Sequence, residues 1–188
     1  VIGPPSADNS WPAETADNAG YALYKAANPN RPARLFVGSN TGMVHAICEK
    51  TGANPGDCGS AGTNARGMEV YAFSPPAILP KLKLTPSAHA FSADGSFGGA
   101  DLCLAADCSI AANWKTMLLG SLYRGGNSLF AMDVTNPDTV SYMFKLYAPM
   151  LGESWSAPVV GRAQIDAATG PLNRWIALSG GGYWAPSG

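Results

Sequence analysis

Residues 34–48 read RLFVGSNTGMVHAIC, and this stretch carries the pattern that decides the predicted fold. Two apolar runs, RLFVG and MVHAIC, flank the turn sequence SNTG. Runs rich in β-branched and aromatic residues on both sides of a Gly- and Asn-containing turn indicate an antiparallel hairpin. The sequence therefore predicts two paired strands joined by a turn at Ser39–Gly42.

The same layout recurs twice further along the chain. Residues 117–132 (MLLGSLYRGGNSLFAM) and residues 175–184 (WIALSGGGYW) each run from an apolar segment through a Gly/Ser break into a second apolar or aromatic segment. The first of them predicts a second hairpin, with its turn at Arg124–Asn127. Repeated units that cannot bury both faces alone are typical of the stacked blades of a β-propeller, although a solenoid or a sandwich would give the same repeat.

The predicted fold class is all-β, with residues 34–188 forming a partial β-propeller of almost wholly antiparallel strands. Blades of ~40–50 residues make this about three blades of a larger, quinoprotein-like propeller. Because a closed propeller needs at least ~4 blades, we expect the chain to continue beyond Gly188. Residues 1–33 are rich in proline and lack a sustained period, so they are predicted to be an irregular lead-in with room for a short helix near Tyr21–Ala27.

The composition indicates many turns and excludes two classes of partner. The 22 glycines and 15 prolines among 188 residues exceed the usual combined share of about 12%, which indicates many turns. We also predict a strand at residues 89–93 (HAFSA) and loops at residues 50–68 and 93–113. Charged residues make up 13% and the net charge is -1, so no basic field exists to hold nucleic acid or an anionic membrane surface. No apolar run reaches the roughly 18 residues of a membrane-spanning helix.

Four cysteines fall into two close pairs, an even number that suits the disulfide framework of a secreted chain. Local pairing, Cys48 with Cys58 and Cys103 with Cys108, is the favoured prediction among the possible connectivities. Four free buried thiols are the alternative. A zinc site is disfavoured because neither spacing is the Cys-x-x-Cys of a zinc knuckle.

Residues suited to catalysis are few. His45 and His89 each lie in an alternating apolar run, where we expect a hydrogen-bonded strand histidine and no nucleophile–base pair. The segment GESWS around Ser154 departs from the Gly-x-Ser-x-Gly elbow, and SGGGYWAPSG lacks the Gly-Lys-Ser/Thr of a phosphate loop. We therefore predict no catalytic residue, no cofactor-binding residue and no metal ligand.

Several aspartates and tryptophans lie where turns are expected. Asp94, Asp101 and Asp107 could offer oxygen ligands to a hard cation, but their spacing fits no EF-hand, and turn positions in solvent are expected. Asp133 and Asp166 follow strands, where an aspartate fixes a turn by accepting backbone N–H bonds. The tryptophans are expected to pack neighbouring blades, with sugar stacking as the alternative for one of them: Trp114, Trp155, Trp175 and Trp184.

A series of blocks along nearly the whole chain resembles one known family. The blocks are VIGPP with YALYKAANPNR, RLFVGSNTGMVHAI, EVYAFSPPAILPKLKL, AHAFSADGS, NWKTMLLGSLYRGGNSLFAMDVTNP and ESWSAPVVGRAQ. The order and the residues of these blocks are similar to those in the C-terminal β-propeller of type IV pilus tip-associated adhesins of the PilC/PilY family. The chain departs from that family at Ile47 and Cys48, where an aromatic residue usually follows His-Ala.

The resemblance implies a non-catalytic component of a type IV pilus tip that acts in pilus assembly and surface adhesion. It implies an extracellular location, at the bacterial cell surface or the pilus tip, with pilin-class subunits and a host or surface receptor as partners. The acidic calcium loop of the family, Asp-x-Asp-x-Asp-Gly, lies downstream of the GGGY block and is absent from this sequence. A calcium ion is therefore expected outside this segment, and no cofactor within it.

Two other functions fit parts of the sequence. Residues 164–175 (QIDAATGPLNRW) are similar to the Asp-x-x-x-Gly…Trp blade-docking motif of quinoprotein dehydrogenases, but DVTNPDTVSYMF is a degraded copy and no Cys-Cys pair occurs. A carbohydrate-binding lectin propeller is the other alternative. It would need tryptophans and acidic groups gathered on one face.

The cysteine spacing generates the first testable prediction. We expect both local pairs to be oxidised, since each closes a short loop in a chain with features of secreted proteins. Mass spectrometry of the unreduced protein after alkylation should find no modified thiol and two loop-linked peptides. Four alkylated cysteines would contradict this prediction.

Overall fold

The computed structural model describes residues 1–5, 15–49, 66–83, 87, 89–148, 150–167 and 170–183. Within these ranges the chain is mostly β-sheet with two helices and two short 3-10 turns. The helices are α1 (Thr15–Ala27) and α2 (Leu79–Leu82), and the 3-10 turns are Ala111–Asn113 and Tyr123–Gly125. The strands are β1 (Arg34–Gly38), β2 (Val44–Cys48), β3 (Glu69–Phe73), β4 (Phe97–Cys103), β5 (Trp114–Ser121), β6 (Ser128–Asp133), β7 (Ser141–Tyr147), β8 (Val159–Ala167) and β9 (Gly170–Leu178).

The strands form three antiparallel sheets in chain order. The first sheet has the order β1-β2-β3, the second β4-β5-β6-β7 and the third β8-β9. Both predicted hairpins are confirmed: β1 pairs with β2 around Ser39–Gly42, and β5 pairs with β6 around Arg124–Asn127. No sheet closes on itself within the described ranges.

The second sheet is the centre of the molecule because both of its faces are covered. Successive side chains of a strand point to opposite faces, so Leu118 of β5 and Phe130 of β6 lie on one face and Met117 and Leu119 on the other. The first face packs against the first sheet, where Val44 belongs to the same buried cluster. The second face packs against the third sheet through Val160 and Trp175, completing a face-to-face stack.

Two sequence predictions about strands are wrong. Strand β4 lies inside the predicted loop 93–113. Its Gly98–Gly99 pair has weak strand propensity, so the sequence shows no clear strand pattern there. Gly98 is nevertheless required, since a Cβ there would collide with the carbonyl oxygen of Pro158. Residues 89–93, predicted to be a strand, form none: the N–H groups of Ser92 and Ala93 donate instead to the turn between β1 and β2.

Helix α1 begins at Thr15, six residues before the helix expected from Tyr21. Its buried Tyr21 and Tyr24 lie three residues apart, on one side of the helix, and pack beside Trp114 at the start of β5. The helix approaches the loop after β4 so closely that a Cβ at Gly20 would collide with the carbonyl oxygen of Cys108. Glycine disfavours a helix in an isolated peptide, but the close packing at this position requires it. The local sequence pattern could not reveal this requirement.

A buried polar network attaches the helix and the segment after it to the second sheet. The Tyr21 hydroxyl donates to Asp101 Oδ2 at 3.0 Å, and Tyr24 and Thr116 share a hydrogen bond of 2.7 Å. The Thr116 hydroxyl also donates to Asp101. Arg31 donates to the Tyr24 hydroxyl at 3.1 Å and lies 3.9 Å from Asp101. Each charge is therefore buried together with an opposite charge and hydrogen-bond partners, as burial of ions demands.

The Cys103–Cys108 disulfide is present as predicted and links the end of β4 to the loop that follows it. The Trp114 indole N–H donates to the carbonyl oxygen of Cys108 at 2.8 Å, so the loop is also held from the next strand. Cys48 is disulfide-bonded as well. Because Cys58 lies outside the described residues, as do residues 50–65 of the predicted loop 50–68, the pairing of Cys48 with Cys58 stays a prediction.

Two tyrosines with buried hydroxyl groups have very different surroundings. Burial and the neighbouring Asp101 carboxylate raise the pKa of Tyr21 far above its ordinary value. Burial raises the pKa of Tyr71 to about 12. The hydroxyl of Tyr71, unlike that of Tyr21, has no hydrogen-bond partner among the described residues.

This contrast predicts opposite outcomes for two matched substitutions. Tyr21→Phe removes a donor from Asp101 and should lower the free energy of unfolding by about 1–3 kcal/mol. Tyr71→Phe removes a buried hydroxyl that satisfies nothing here, so we expect no loss and a small gain in stability. Urea denaturation of the two variants beside the parent measures both values, and an equal loss in both would contradict the network described above.

Candidate functional site

The antiparallel order brings many connections to one end of the molecule. The connections at this end, called here the loop end, are residues 39–43, 89–96, 122–127, 150–158 and 179–183. They contact one another: the Ser92 N–H donates to Asn40 Oδ1 at 3.2 Å, and Lys81 Nζ donates to the carbonyl oxygen of Gly125 at 2.5 Å. Loops held by rigid sheets are common places for binding residues, which makes this end the candidate functional site.

An aromatic pair with one exposed ring lies at the loop end. The rings of Tyr123 and Trp155 are 4.1 Å apart at an interplanar angle of 46°, and 53% of Trp155 is exposed. Tyr123 has a φ of 53°, and it is the only residue other than glycine with positive φ in the described ranges. Such a backbone costs about 1–3 kcal/mol and persists only where the surroundings impose it. We call Tyr123 and Trp155 the aromatic platform.

A cation–π contact continues the surface beside the platform. The Arg124 guanidinium lies 4.2 Å from the centre of the Phe91 ring, and the ring of His89 meets Phe91 edge-on at 5.0 Å. His89 is exposed and lies outside any strand, so the expectation of a strand histidine is wrong at this position. The reason is the loss of the predicted strand at residues 89–93.

A groove of about 420 Å³ opens next to the platform. It is bordered by Leu122, the neighbour of Tyr123, and by Glu153, two residues from Trp155. Lys81 and Lys145 also line it, so two positive charges face one negative charge. Its volume falls within the range of small-molecule sites.

Three serines hold the Trp155 loop against the end of β9. Ser154 and Ser156 each share a hydrogen bond with the hydroxyl of Ser179, at 3.0 and 3.1 Å. Ser156 Oγ also accepts the N–H of Gly180 at 2.7 Å. The segment carrying Trp155 is therefore fixed on both sides of the ring, which keeps the ring exposed.

A second constellation lies on the outer face of the first sheet and was missed by sequence reasoning. His45 Nε2 is 3.0 Å from Ser39 Oγ, and His45 Nδ1 contacts the carboxylate of Glu69. A serine, a histidine and a carboxylate thus lie in contact, an arrangement that the sequence predictions did not include. The expectation that His45 is a hydrogen-bonded strand residue is confirmed.

A β-bulge explains why Glu69 reaches His45. Strand β3 pairs Tyr71 with Ala46 but Glu69 with Ile47, so Val70 is the extra residue. A shift of one residue moves a side chain to the other face of a sheet, which brings Glu69 to the face that carries His45. No local sequence pattern reports such a shift.

The surroundings of Ser39 favour a structural role for this constellation. Ser39 Oγ also lies 2.5 Å from Thr41 Oγ1 and 3.2 Å from the carbonyl oxygen of Met43. The N–H groups of Ser39 and Gly42 donate within the turn, to the carbonyl oxygens of Met43 and Ser39. Acyl transfer needs free N–H donors aimed at the developing oxyanion, and these two are occupied.

No family model matches the chain. The type IV pilus biogenesis factor PilY1 of Pseudomonas aeruginosa (strain PAO1) is 33% identical over 181 residues, which cover 92% of this chain and 13% of that protein. A PilY1 homologue of Xylella fastidiosa (strain Temecula1) is 31% identical over 187 residues, which cover 96% of this chain and 13% of the homologue.

A solved structure matches this chain in fold as well as in sequence. The crystal structure of the Pseudomonas aeruginosa PilY1 C-terminal domain matches this fold with a TM-score of 0.63 and 28% identity, covering 97% of this chain and 32% of the crystallised chain. The chain belongs to the PilY1 family. It spans 13% of the length of the curated relatives it matches, and about a third of the solved domain.

The aspartates of this PilY1-family chain have different surroundings. The expectation of a solvated turn is wrong for Asp101, which lies in β4 and is buried because it accepts hydrogen bonds within the polar network. Asp133 accepts the Thr135 N–H at 2.9 Å, as predicted for a turn. Hydrogen bonds from Ser109 lower the pKa of Asp107. Asp94 has one buried oxygen without a hydrogen-bond partner in the described ranges. The side chain of Asp166 lies outside the described part.

The described residues contain no group of three or more His, Cys, Asp or Glu side chains that could hold a metal ion. In the same ranges, no helix is long and apolar enough to cross a membrane. Trp114 and Trp175 meet edge-on at 5.9 Å between the second and third sheets, whereas Trp155 is exposed and Trp184 is not described.

The occupied N–H donors predict that Ser39 is not a nucleophile. A fluorophosphonate probe, which labels activated serines, should leave Ser39 unmodified in native and heat-denatured protein alike. Ser39→Ala should lower the free energy of unfolding by about 1 kcal/mol through loss of its hydrogen bonds. Peptide mapping by mass spectrometry checks the labelling, and an adduct on Ser39 in the native protein alone would overturn this interpretation.

Proposed function

We propose that this chain is a non-catalytic part of a type IV pilus tip factor that acts in pilus assembly and surface adhesion. The observation that carries the proposal is the 33% identity over 92% of the chain to a type IV pilus biogenesis factor. The match of the fold to the PilY1 C-terminal domain supports it. The names of these relatives describe biogenesis factors rather than enzymes, which supports a non-catalytic role.

In this proposal the three stacked sheets are successive blades of a propeller that the rest of the polypeptide completes. A two-stranded sheet is marginal by itself, so the pair β8-β9 requires further strands. Apolar side chains are exposed at both ends of the stack, among them Val37 on the first sheet and Val159 and Leu178 on the third. Because this chain covers 32% of the solved domain, residues outside it are the proposed cover for these faces.

The proposed partner surface is the edge strand β7. It pairs only with β6, and its other edge is open within the described ranges. Large apolar side chains along it are exposed: Met143, Phe144, Leu146 and Tyr147. Exposed apolar edges favour pairing with another chain, and we propose a pilin-class subunit as that chain.

Localisation, receptor and calcium belong to the same proposal. The Cys103–Cys108 disulfide suits an oxidising compartment and thus supports an extracellular or cell-surface location. A host or surface receptor is the proposed adhesion partner of the complete protein. The calcium ion implied by the family resemblance is proposed to bind downstream of this segment.

The experiment uses the full-length protein in a cell that makes type IV pili. A lysine on an edge strand disfavours further pairing, so Leu146→Lys should lower the recovery of pilin-class subunits in an affinity pull-down by about tenfold. It should also lower the number of surface pili. Leu23→Lys is the matched control, because Leu23 is 58% exposed on helix α1, at the opposite end of the molecule from the loop end.

Three outcomes would each contradict a part of the proposal. If the parent protein recovers no pilin-class subunit, the proposed partnership fails. If deletion of the gene leaves surface pili unchanged in number, the assembly role fails. Equal recovery from the Leu146→Lys and Leu23→Lys proteins would remove β7 as the partner surface.

A further inference from the structure

The strained backbone of Tyr123 is not explained by the stacking of the sheets. The turn between β5 and β6 contains Gly125 and Gly126, yet the positive φ of 53° falls on Tyr123 instead. A left-handed tyrosine persists where the surroundings over-determine it, and such positions cluster at binding sites. Here the strained conformation accompanies a tilted contact of the Tyr123 ring with Trp155, whose centroids are 4.1 Å apart.

The exposed ring of Trp155 has the properties of a stacking surface for a ligand. The hydrogen bonds of Ser154 and Ser156 hold the backbone on both sides of this ring, so little loop entropy remains to be lost on binding. A tryptophan with an apolar face and a wet edge suits a partner that is itself apolar on one face and polar around its rim. A pyranose ring has this character, with C–H groups on its face and hydroxyls around its edge.

Polar groups lie where the rest of such a ligand would extend. The groove that begins at Leu122 and Glu153 is lined by Lys81, Asn127 and Lys145. Amide, ammonium and carboxylate groups are the donors and acceptors that hydroxyls require. The two lysines outnumber the single glutamate, and Arg124 adds a further positive charge beside the platform. The charge balance therefore favours an anionic ligand over a neutral one.

We propose that the aromatic platform and the adjoining groove bind an acidic oligosaccharide, with one sugar ring on Trp155 and the carboxylate directed to Lys145. The groove includes Lys145 of β7, whereas the platform lies outside that strand, and sugar binding here does not depend on the proposed pilus assembly role. A protein partner would need a larger apolar surface than one exposed indole beside a polar, charged groove.

The test uses full-length protein and two probes, 3′-sialyllactose and a hyaluronan tetrasaccharide, with lactose as the neutral comparison. Titration calorimetry should give a Kd below about 1 mM for at least one acidic probe and at least a tenfold weaker value for lactose. Trp155→Ala should weaken binding of the acidic probe about tenfold, as expected for loss of a stacked ring. Lys145→Gln should remove the preference over lactose, and Leu23→Ala should change neither value.

Tyr123→Gly separates binding from folding. Glycine tolerates positive φ, so this variant should keep or raise the melting temperature while weakening the acidic probe at least fivefold. The proposal is overturned if neither acidic probe binds below about 1 mM, or if Trp155→Ala or Tyr123→Gly binds like the parent. It is also overturned if Trp155→Ala folds normally and loses a pilin-class subunit instead of a sugar, since the platform would then be a protein contact.

Discussion

Burial of both faces of the second sheet is the constraint on which the other parts depend. A sheet with apolar residues on alternate faces must be covered twice, and strands β5 and β6 carry large apolar side chains on each side. The first sheet and the third sheet supply the two covers. Order along the chain then becomes order in space, and every second connection falls at the loop end.

Charge burial is the cost of attaching the segment before β1 to this stack. Arg31 and Asp101 are both buried, and a charge left alone there would destabilise the fold by several kcal/mol. The hydroxyls of Tyr21, Tyr24 and Thr116 complete the network. Loss of any one hydroxyl therefore removes a hydrogen-bond partner from the buried groups that remain. Arg34 of β1, 2% exposed, instead donates to the exposed carboxylate of Asp138 at 2.7 Å.

Sequence reasoning succeeded where local pattern and tertiary demand agree. Both hairpins follow from turn chemistry between apolar runs, and the Cys103–Cys108 bond follows from short spacing. It failed where packing overrides propensity, as at Gly98 in β4 and Gly20 in α1, because a close approach of backbones leaves no trace in local composition. The meeting of Ser39, His45 and Glu69 depends on one bulge, which only the register reveals. No sequence pattern predicts the backbone strain at Tyr123 either.

The departures from local rules are distributed unevenly over the molecule. In the stack, unfavourable residues have a packing reason at Gly20 and Gly98, which closely approach a neighbouring backbone, and buried charges lie beside opposite ones. At the loop end Tyr123 is strained although glycines stand two and three residues away, and Trp155 is exposed although the stack offers burial to other tryptophans. Folding alone would select against both features. Unfavourable local features that do not stabilise the stack are expected where selection acts on binding. In this respect the loop end differs from the surfaces that other blades would cover.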